Sequence, residues 1–246
     1  MKIVGIIPAR MKSTRFPGKP LVDIMGMPMV IHVLKRCQLC KSLSDVYVAT
    51  DSAEIFDCVI KYGGKAVMTE ASHQTGTDRI AEACLKTGGD IVINIQGDEP
   101  LVDPKDIEAL VECVKNDPSV NFATLVCKTR QFGEITECKA VLDMNRDIMY
   151  MSRSDIPSRS RSGVDHMLKL YCVVAFRREW LKAFASWPQT ALEKTEFIEY
   201  LRILERGYKI RGVVVEEYTT SVDTPDDLKV ILELMSRDRI KSFYLV

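Results

Sequence analysis

The stretch Lys2-Ile3-Val4-Gly5-Ile6-Ile7 runs without a break into Pro8-Ala9-Arg10-Met11-Lys12-Ser13-Thr14-Arg15-Phe16-Pro17-Gly18-Lys19-Pro20. Residues 2–7 read as a buried apolar strand. Behind it, Arg10, Lys12, Arg15 and Lys19 share one loop with the hydroxyls of Ser13 and Thr14 and with Gly18. Such a loop suits a triphosphate, offering positive charge, exposed N–H groups and a backbone free to curl around oxygen atoms. It is not a Walker A loop: no G-x-x-x-x-G-K-[ST] is present, and Lys19 precedes a proline rather than Ser or Thr. The plainer alternative is a solvated basic loop.

Outward from this stretch, short apolar runs alternate with amphipathic helices. A helix opened by Pro28 carries Val30, Ile31, Val33, Leu34 and Cys37 on one side, and an apolar run over 46–49 ends at Thr50-Asp51. A helix over 52–62 is stopped by Gly63-Gly64 before a strand at 65–68. A polar segment, a helix from about 78 and Gly88-Gly89 lead to a strong strand over 90–95, which ends in Gln96-Gly97-Asp98-Glu99-Pro100. The remainder predicts a helix from Pro104 to 115, strands at 122–128, 139–142, 148–152, 168–176 and 210–215, and helices at 178–185, 193–205 and after Thr224. The pattern predicts an α/β fold: a mostly parallel central sheet with helices on both faces plus a mixed subregion, in a single domain over 1–246.

Composition narrows the classes. The 246 residues are 46% hydrophobic, enough for a sizeable core, and 34 acidic residues balance 34 basic ones. With no net field, basic helix or aromatic-interleaved patch, neither nucleic acid nor a membrane surface is an expected partner. No apolar run has the length of a membrane span and the chain opens directly on a strand, so the expected location is cytoplasmic. The eight cysteines are scattered through core-like positions and read as reduced thiols. Cys37 and Cys40 have redox or zinc spacing, but without a second pair they read as packing residues.

Ligands of open α/β sheets bind outside the carboxyl ends of the strands. Asp98, at a strand end beside a glycine, is therefore the candidate ligand for Mg²⁺ on nucleotide phosphates, and Asp223, closing an extended run, is its candidate partner. For both, a turn-forming carboxylate is the alternative. Asp226 and Asp227 follow Thr224-Pro225 and read as first-turn charges on a helix dipole. His73-Gln74-Thr75-Gly76-Thr77-Asp78-Arg79 offers groups for a base or ribose edge, or ordinary helix capping. His32 reads as structural and His166 as solvated.

The Pro8 to Pro20 run, His73 to Arg79, Gln96 to Pro100, Ser152-Arg153-Ser154-Asp155-Ile156-Pro157, Leu192-Glu193-Lys194-Thr195-Glu196 and Val222-Asp223-Thr224-Pro225-Asp226-Asp227-Leu228 occur in that order. Together they resemble the 3-deoxy-manno-octulosonate (KDO) cytidylyltransferases, or CMP-KDO synthetases. The resemblance implies a Rossmann-like nucleotidyltransferase that joins CTP to a sugar acid, releases pyrophosphate and leaves a CMP-sugar for lipopolysaccharide assembly, working as a homodimer. It implies that Ala9, Arg10, Ser13, Arg15 and Lys19 line the triphosphate, with Arg10, Lys19 and Asp98 as the catalytic set. Asp98 and Asp223 hold Mg²⁺ in this reading, and Thr77, Arg79 and Gln96 recognise cytidine. Arg153, Lys169, Glu196 and Tyr200 fall on the acceptor side.

The acceptor side is also where the chain departs from the family. Lys169-Leu170-Tyr171-Cys172-Val173-Val174 lacks the family's histidine and glycine, and Glu199-Tyr200-Leu201-Arg202 has tyrosine where glutamine is usual. A missing imidazole and a ring in place of an amide change the polar contacts open to an acceptor. The acceptor therefore stays open between KDO, an amino-KDO, another acidic sugar and a phosphonate, and a catalytically weak nucleotide-binding relative is the reading from a different class.

Overall fold

Strand β1 (Ile3–Ala9) is buried at all but one position, and a parallel partner runs along each of its edges. In the computed structural model, which describes residues 1–12, 15–161, 163–216 and 221–245, with Cys172 by its backbone alone, the chain forms two compact units, 1–108 with 219–246 and 109–218. The first unit adds a two-stranded ribbon, β2 (Asp23–Ile24) against β3 (Met27–Pro28), then β4 (Asp45–Thr50), β5 (Lys65–Met68) and β6 (Ile91–Ile95). β6, β1, β4 and β5 lie side by side, all parallel, with Ile6 opposite Asn94 and Ile7 opposite Val48. Parallel strands need long crossovers. Helices α1 (Met29–Leu39), α2 (Ala53–Lys61) and α3 (Gly76–Thr87) supply them. Helix α4 (Pro104–Asn116) follows β6.

The second unit carries the mixed part of the fold. β7 (Phe122–Thr129), β8 (Lys139–Leu142), β9 (Ile148–Ser152), β10 (Met167–Arg177) and β11 (Arg211–Val215) are its strands. β10 runs antiparallel to β7 and β8, β9 antiparallel to β8, and β11 parallel to β7. Helices α5 (Arg178–Ser186), α6 (Ala191–Glu196) and α7 (Leu201–Leu204) complete it, and α8 (Pro225–Arg237) returns to the first unit. The expected α/β class, with a mostly parallel sheet and a mixed subregion, is the one observed.

One element differs from expectation. The helix read over 193–205 is two short helices separated at Phe197, whose φ of 53° is left-handed. The cause is a buried ion pair: Arg202 Nε donates to Glu193 Oε2 at 2.8 Å, and both side chains are 4% exposed. In a continuous helix, residues nine apart lie on opposite faces and about 13.5 Å apart along the axis, so this bond requires the break.

The cysteines described are free thiols. Burial pushes Cys40 up to about 11 and Cys37 higher still, which fits packing rather than redox chemistry. His32 is fully buried in α1. Its Nε2 lies 2.8 Å from the Ile24 carbonyl and its Nδ1 3.0 Å from the Tyr244 hydroxyl. A carbonyl only accepts, so Nε2 carries the proton and Nδ1 accepts from Tyr244 in a neutral ring. Burial lowers the His32 pKa below its ordinary 6.5. The unfolded chain therefore binds the proton more readily, and the stability held by the neutral ring is complete above about pH 6.5 and lost as pH falls from there through the lowered folded value. Urea unfolding from pH 8 to pH 5 is expected to show stability falling on the acid side, with a flatter slope in His32→Gln; equal slopes would assign the acid sensitivity to other groups.

Candidate active site

The carboxyl ends of β1, β4 and β6 are neighbours by register, which brings together the segments that follow them. After β6 the chain turns at Gln96-Gly97-Asp98 directly against β1. A Cβ on Gly97 would lie 2.8 Å from the Pro8 carbonyl oxygen, so glycine is what permits the close approach. After β1 the loop reaches Gly18, left-handed at φ 73°, which caps a 3₁₀ turn over Lys19–Leu21 and turns Lys19 back toward the strand ends.

Lys19 is the centre of the arrangement. Its ammonium donates to Asp98 Oδ2 at 2.6 Å, to the Val222 carbonyl at 2.8 Å and to Asp223 Oδ1 at 3.3 Å. Arg15 Nη2 adds a bond of 3.1 Å to the same Asp223 oxygen. The late segment is held in place by its backbone, Val222 N–H donating to Asp98 O at 2.9 Å. Asp227 does more than offset a helix dipole. Its carboxylate accepts from the N–H groups of Asp223 and Thr224, at 3.0 and 2.7 Å, in the capping box that opens α8. Asp226 is exposed and pairs with Lys229.

Arg15, Lys19, Asp98 and Asp223 line a cavity of about 260 Å³ together with Ala9, Arg10, Lys12, Gln96 and Arg79. Of the residues singled out in the sequence, the cavity collects Ala9, Arg10, Arg15, Lys19, Arg79, Gln96, Asp98 and Asp223. Ser13 lies outside the described residues. Thr77 is fully buried behind the wall. Asn94 Nδ2 lies 3.4 Å from its hydroxyl, and Asn94 Oδ1 accepts from Gln96 Nε2 at 3.0 Å. Thr77 thus connects to the cavity through Asn94, which fixes the Gln96 amide; an asparagine inside an apolar strand run was the available signal. Arg79 is 3% exposed and held by Asp51 at 3.2 Å and the Thr69 hydroxyl at 2.6 Å. His73, not singled out by itself, also lines the cavity and pairs with Glu82 at 2.6 Å.

The residues read as acceptor-side lie in the second unit, where three surroundings separate them. Glu196 accepts from Ser152 Oγ and the Arg153 N–H, both at 2.9 Å, and from Tyr150 at 3.3 Å. Partial burial opposes its ionisation, but these donors and the Arg153 charge hold its carboxyl below the ordinary range. The Arg153 guanidinium turns to the carbonyls of Glu196 and Phe197 at 3.2 Å. Lys169 pairs with Glu137 instead. The Tyr200 ring packs 6.3 Å from both Phe176 and Phe184, which gives the tyrosine a place in an aromatic cluster.

Among the described residues no group of three or more His, Cys, Asp or Glu forms a metal site. Asp98, Asp223 and the Val222 carbonyl are nonetheless an all-oxygen set already neutralising a cation, the Lys19 ammonium. Hard divalent ions are commonly held by one or two carboxylates completed by substrate phosphates.

A model of the cytidylyltransferase family matches residues 4–210. The chain is 43% identical to a 3-deoxy-manno-octulosonate cytidylyltransferase of Syntrophobacter fumaroxidans, over 98% of this chain and 99% of that one. It is 42% identical to an 8-amino-3,8-dideoxy-manno-octulosonate cytidylyltransferase of Shewanella halifaxensis, over 94% of this chain and 97% of that one. A solved CMP:2-keto-3-deoxy-manno-octonic acid synthetase complexed with CTP superposes with a TM-score of 0.93 at 38% identity, covering 96% of this chain and 99% of that one.

Proposed function

The chain belongs to the 3-deoxy-manno-octulosonate cytidylyltransferase family, and from that premise we propose that it transfers CMP from CTP to KDO, with Asp98 and Asp223 holding Mg²⁺. The observation that carries the reading is the cavity in which Arg10, Lys12, Arg15 and Lys19 face the carboxylates of Asp98 and Asp223. In this reading the triphosphate lies against the loop from Ala9 to Lys19, and Gln96 and Arg79 face the nucleoside. The acceptor hydroxyl attacks the α-phosphorus in line, an oxygen–phosphorus bond forms, and the bond to pyrophosphate breaks. The protein supplies alignment and charge rather than a nucleophile. Arg10 and Lys19 neutralise the phosphate oxygens as charge moves onto the departing pyrophosphate. The oxygen set of Asp98 and Asp223 fits Mg²⁺, which when bound supplies further charge neutralisation at the phosphates.

Acceptor recognition is assigned to Arg153, Lys169, Glu196 and Tyr200. A second acceptor, 8-amino-3,8-dideoxy-manno-octulosonate, is supported by one observation: the relative named for it is 42% identical to this chain, against 43% for the relative named for KDO. The two acids differ at one substituent, hydroxyl against amine, a difference a polar site can discriminate strongly. Pyrophosphate release is to be measured with CTP against KDO, its 8-amino analogue, other acidic sugars and phosphonates. The expected outcome is a kcat/KM for KDO at least about tenfold above the next acid. A preference for the amino sugar would reassign the acceptor, and no turnover with any acid would leave a nucleotide-binding relative. The same reading has the enzyme act as a cytoplasmic homodimer serving lipopolysaccharide assembly. Light scattering tests the dimer; among the described residues no helix is long and apolar enough to cross a membrane.

A further inference from the structure

We infer that Lys19 is a built-in counter-ion that keeps divalent metal out of the site until a triphosphate draws it away, so that metal binding is conditional on nucleotide. The inference rests on the reading of Asp98 and Asp223 as the metal carboxylates and concerns what this chain does before CTP arrives. A lysine ammonium has three donors and no acceptor. All three are committed here, to Asp98 Oδ2, Asp223 Oδ1 and the Val222 carbonyl. These are the oxygens a hard cation would take, and ammonium and metal cannot both hold them.

The placement is built rather than incidental. The Lys19 side chain is 13% exposed, Gly18 in its left-handed conformation turns the residue inward, and the Val222–Asp98 backbone bond fixes the two carboxylate segments around it. Charge supports the same conclusion. With Lys19 and Arg15 on them, the two carboxylates are already balanced, so a divalent ion entering alone must displace a bonded ammonium for little electrostatic gain. A triphosphate reverses this balance. It brings several negative charges into a cavity whose wall already includes Lys19, Arg15, Arg10 and Lys12, offers Lys19 and Arg15 new partners, and leaves the carboxylates bare. Linkage then makes the effect reciprocal: nucleotide raises metal affinity and metal raises nucleotide affinity by the same factor.

The test reads metal binding directly, as Mn²⁺ affinity measured by electron paramagnetic resonance without acceptor. Without nucleotide, Lys19→Met is expected to bind Mn²⁺ about tenfold or more tightly than wild type, and CTP is expected to enhance Mn²⁺ binding less in the variant than in wild type. Lys19→Gln, which keeps a polar side chain should Lys19→Met fold poorly, is expected to behave in the same direction. Lys115→Met removes an exposed charge on α4, away from the cavity lining, and is expected to leave Mn²⁺ affinity at the wild-type level. Unchanged Mn²⁺ affinity in both Lys19 variants, or an equal gain in Lys115→Met, would overturn the inference while leaving the metal reading in place. Failure of wild type to bind Mn²⁺ even with CTP would overturn the metal reading and this inference with it.

Discussion

Asp98→Asn is expected to lower kcat by about a hundredfold or more while the protein still unfolds near the wild-type temperature. The side chain stands at a strand end and is partly exposed, 26%, so no core packing depends on it. The isosteric amide removes one of the two carboxylate charges that face Lys19. In the proposed reading that charge holds a hard cation on the phosphates, and a neutral amide oxygen is a far weaker ligand for it. Lys19 keeps the Val222 carbonyl and Asp223 as partners, which is why folding is little affected. Circular dichroism melts and steady-state kinetics on the same preparation separate the two effects. A variant with near-normal kcat would place the metal elsewhere, and one that fails to fold would make Asp98 a structural turn residue.

Arg202→Met is expected to cost about 3–5 kcal/mol of stability, the range for a buried pair broken on one side. Its guanidinium bonds Glu193 and reaches the carbonyls of Phe184 and Trp187 at 3.3 Å, while lying 4.5 Å over the Phe184 ring. Truncation leaves the Glu193 carboxylate buried without its counter-charge and releases the fold-back between α6 and α7. Replacing both partners, as Arg202→Met with Glu193→Leu, is expected to recover part of the loss, because the desolvation penalty disappears with the charge. Urea unfolding of the two variants checks this. A loss under about 1 kcal/mol in the single variant is the range of an exposed ion pair and would make the pair dispensable.

The parts of the fold legible in the sequence are those fixed by local pattern. β1, β4 and β6 read as continuous apolar runs because parallel strands are buried on both faces, and the segments just past β1 and β6 line one cavity, whereas Asp51 past β4 pairs with Arg79. The family was legible too, because its motifs recur in order along nearly the whole chain. What could not be read depends on partners distant in sequence. Lys19 meets Asp98 and Asp223 across 79 and 204 residues, and no local spacing reveals that one ammonium lies between them. The break at Phe197 is set by the Glu193–Arg202 pair rather than by a glycine or proline, so periodicity alone ran the helix through it. Tyr200 reads as a substituted polar position, yet its ring belongs to a cluster with Phe176 and Phe184. Thr77 carries a motif hydroxyl but is fully buried, with Asn94 between it and the Gln96 amide.

The central claim is transfer of the nucleotidyl group, and following the α-phosphate of CTP tests it most directly. With CTP labelled at that phosphorus, KDO and Mg²⁺, the label is expected to appear in a CMP–sugar acid, with one pyrophosphate released for each label transferred. Label recovered as free CMP or CDP, with no acid-linked product, would contradict the account.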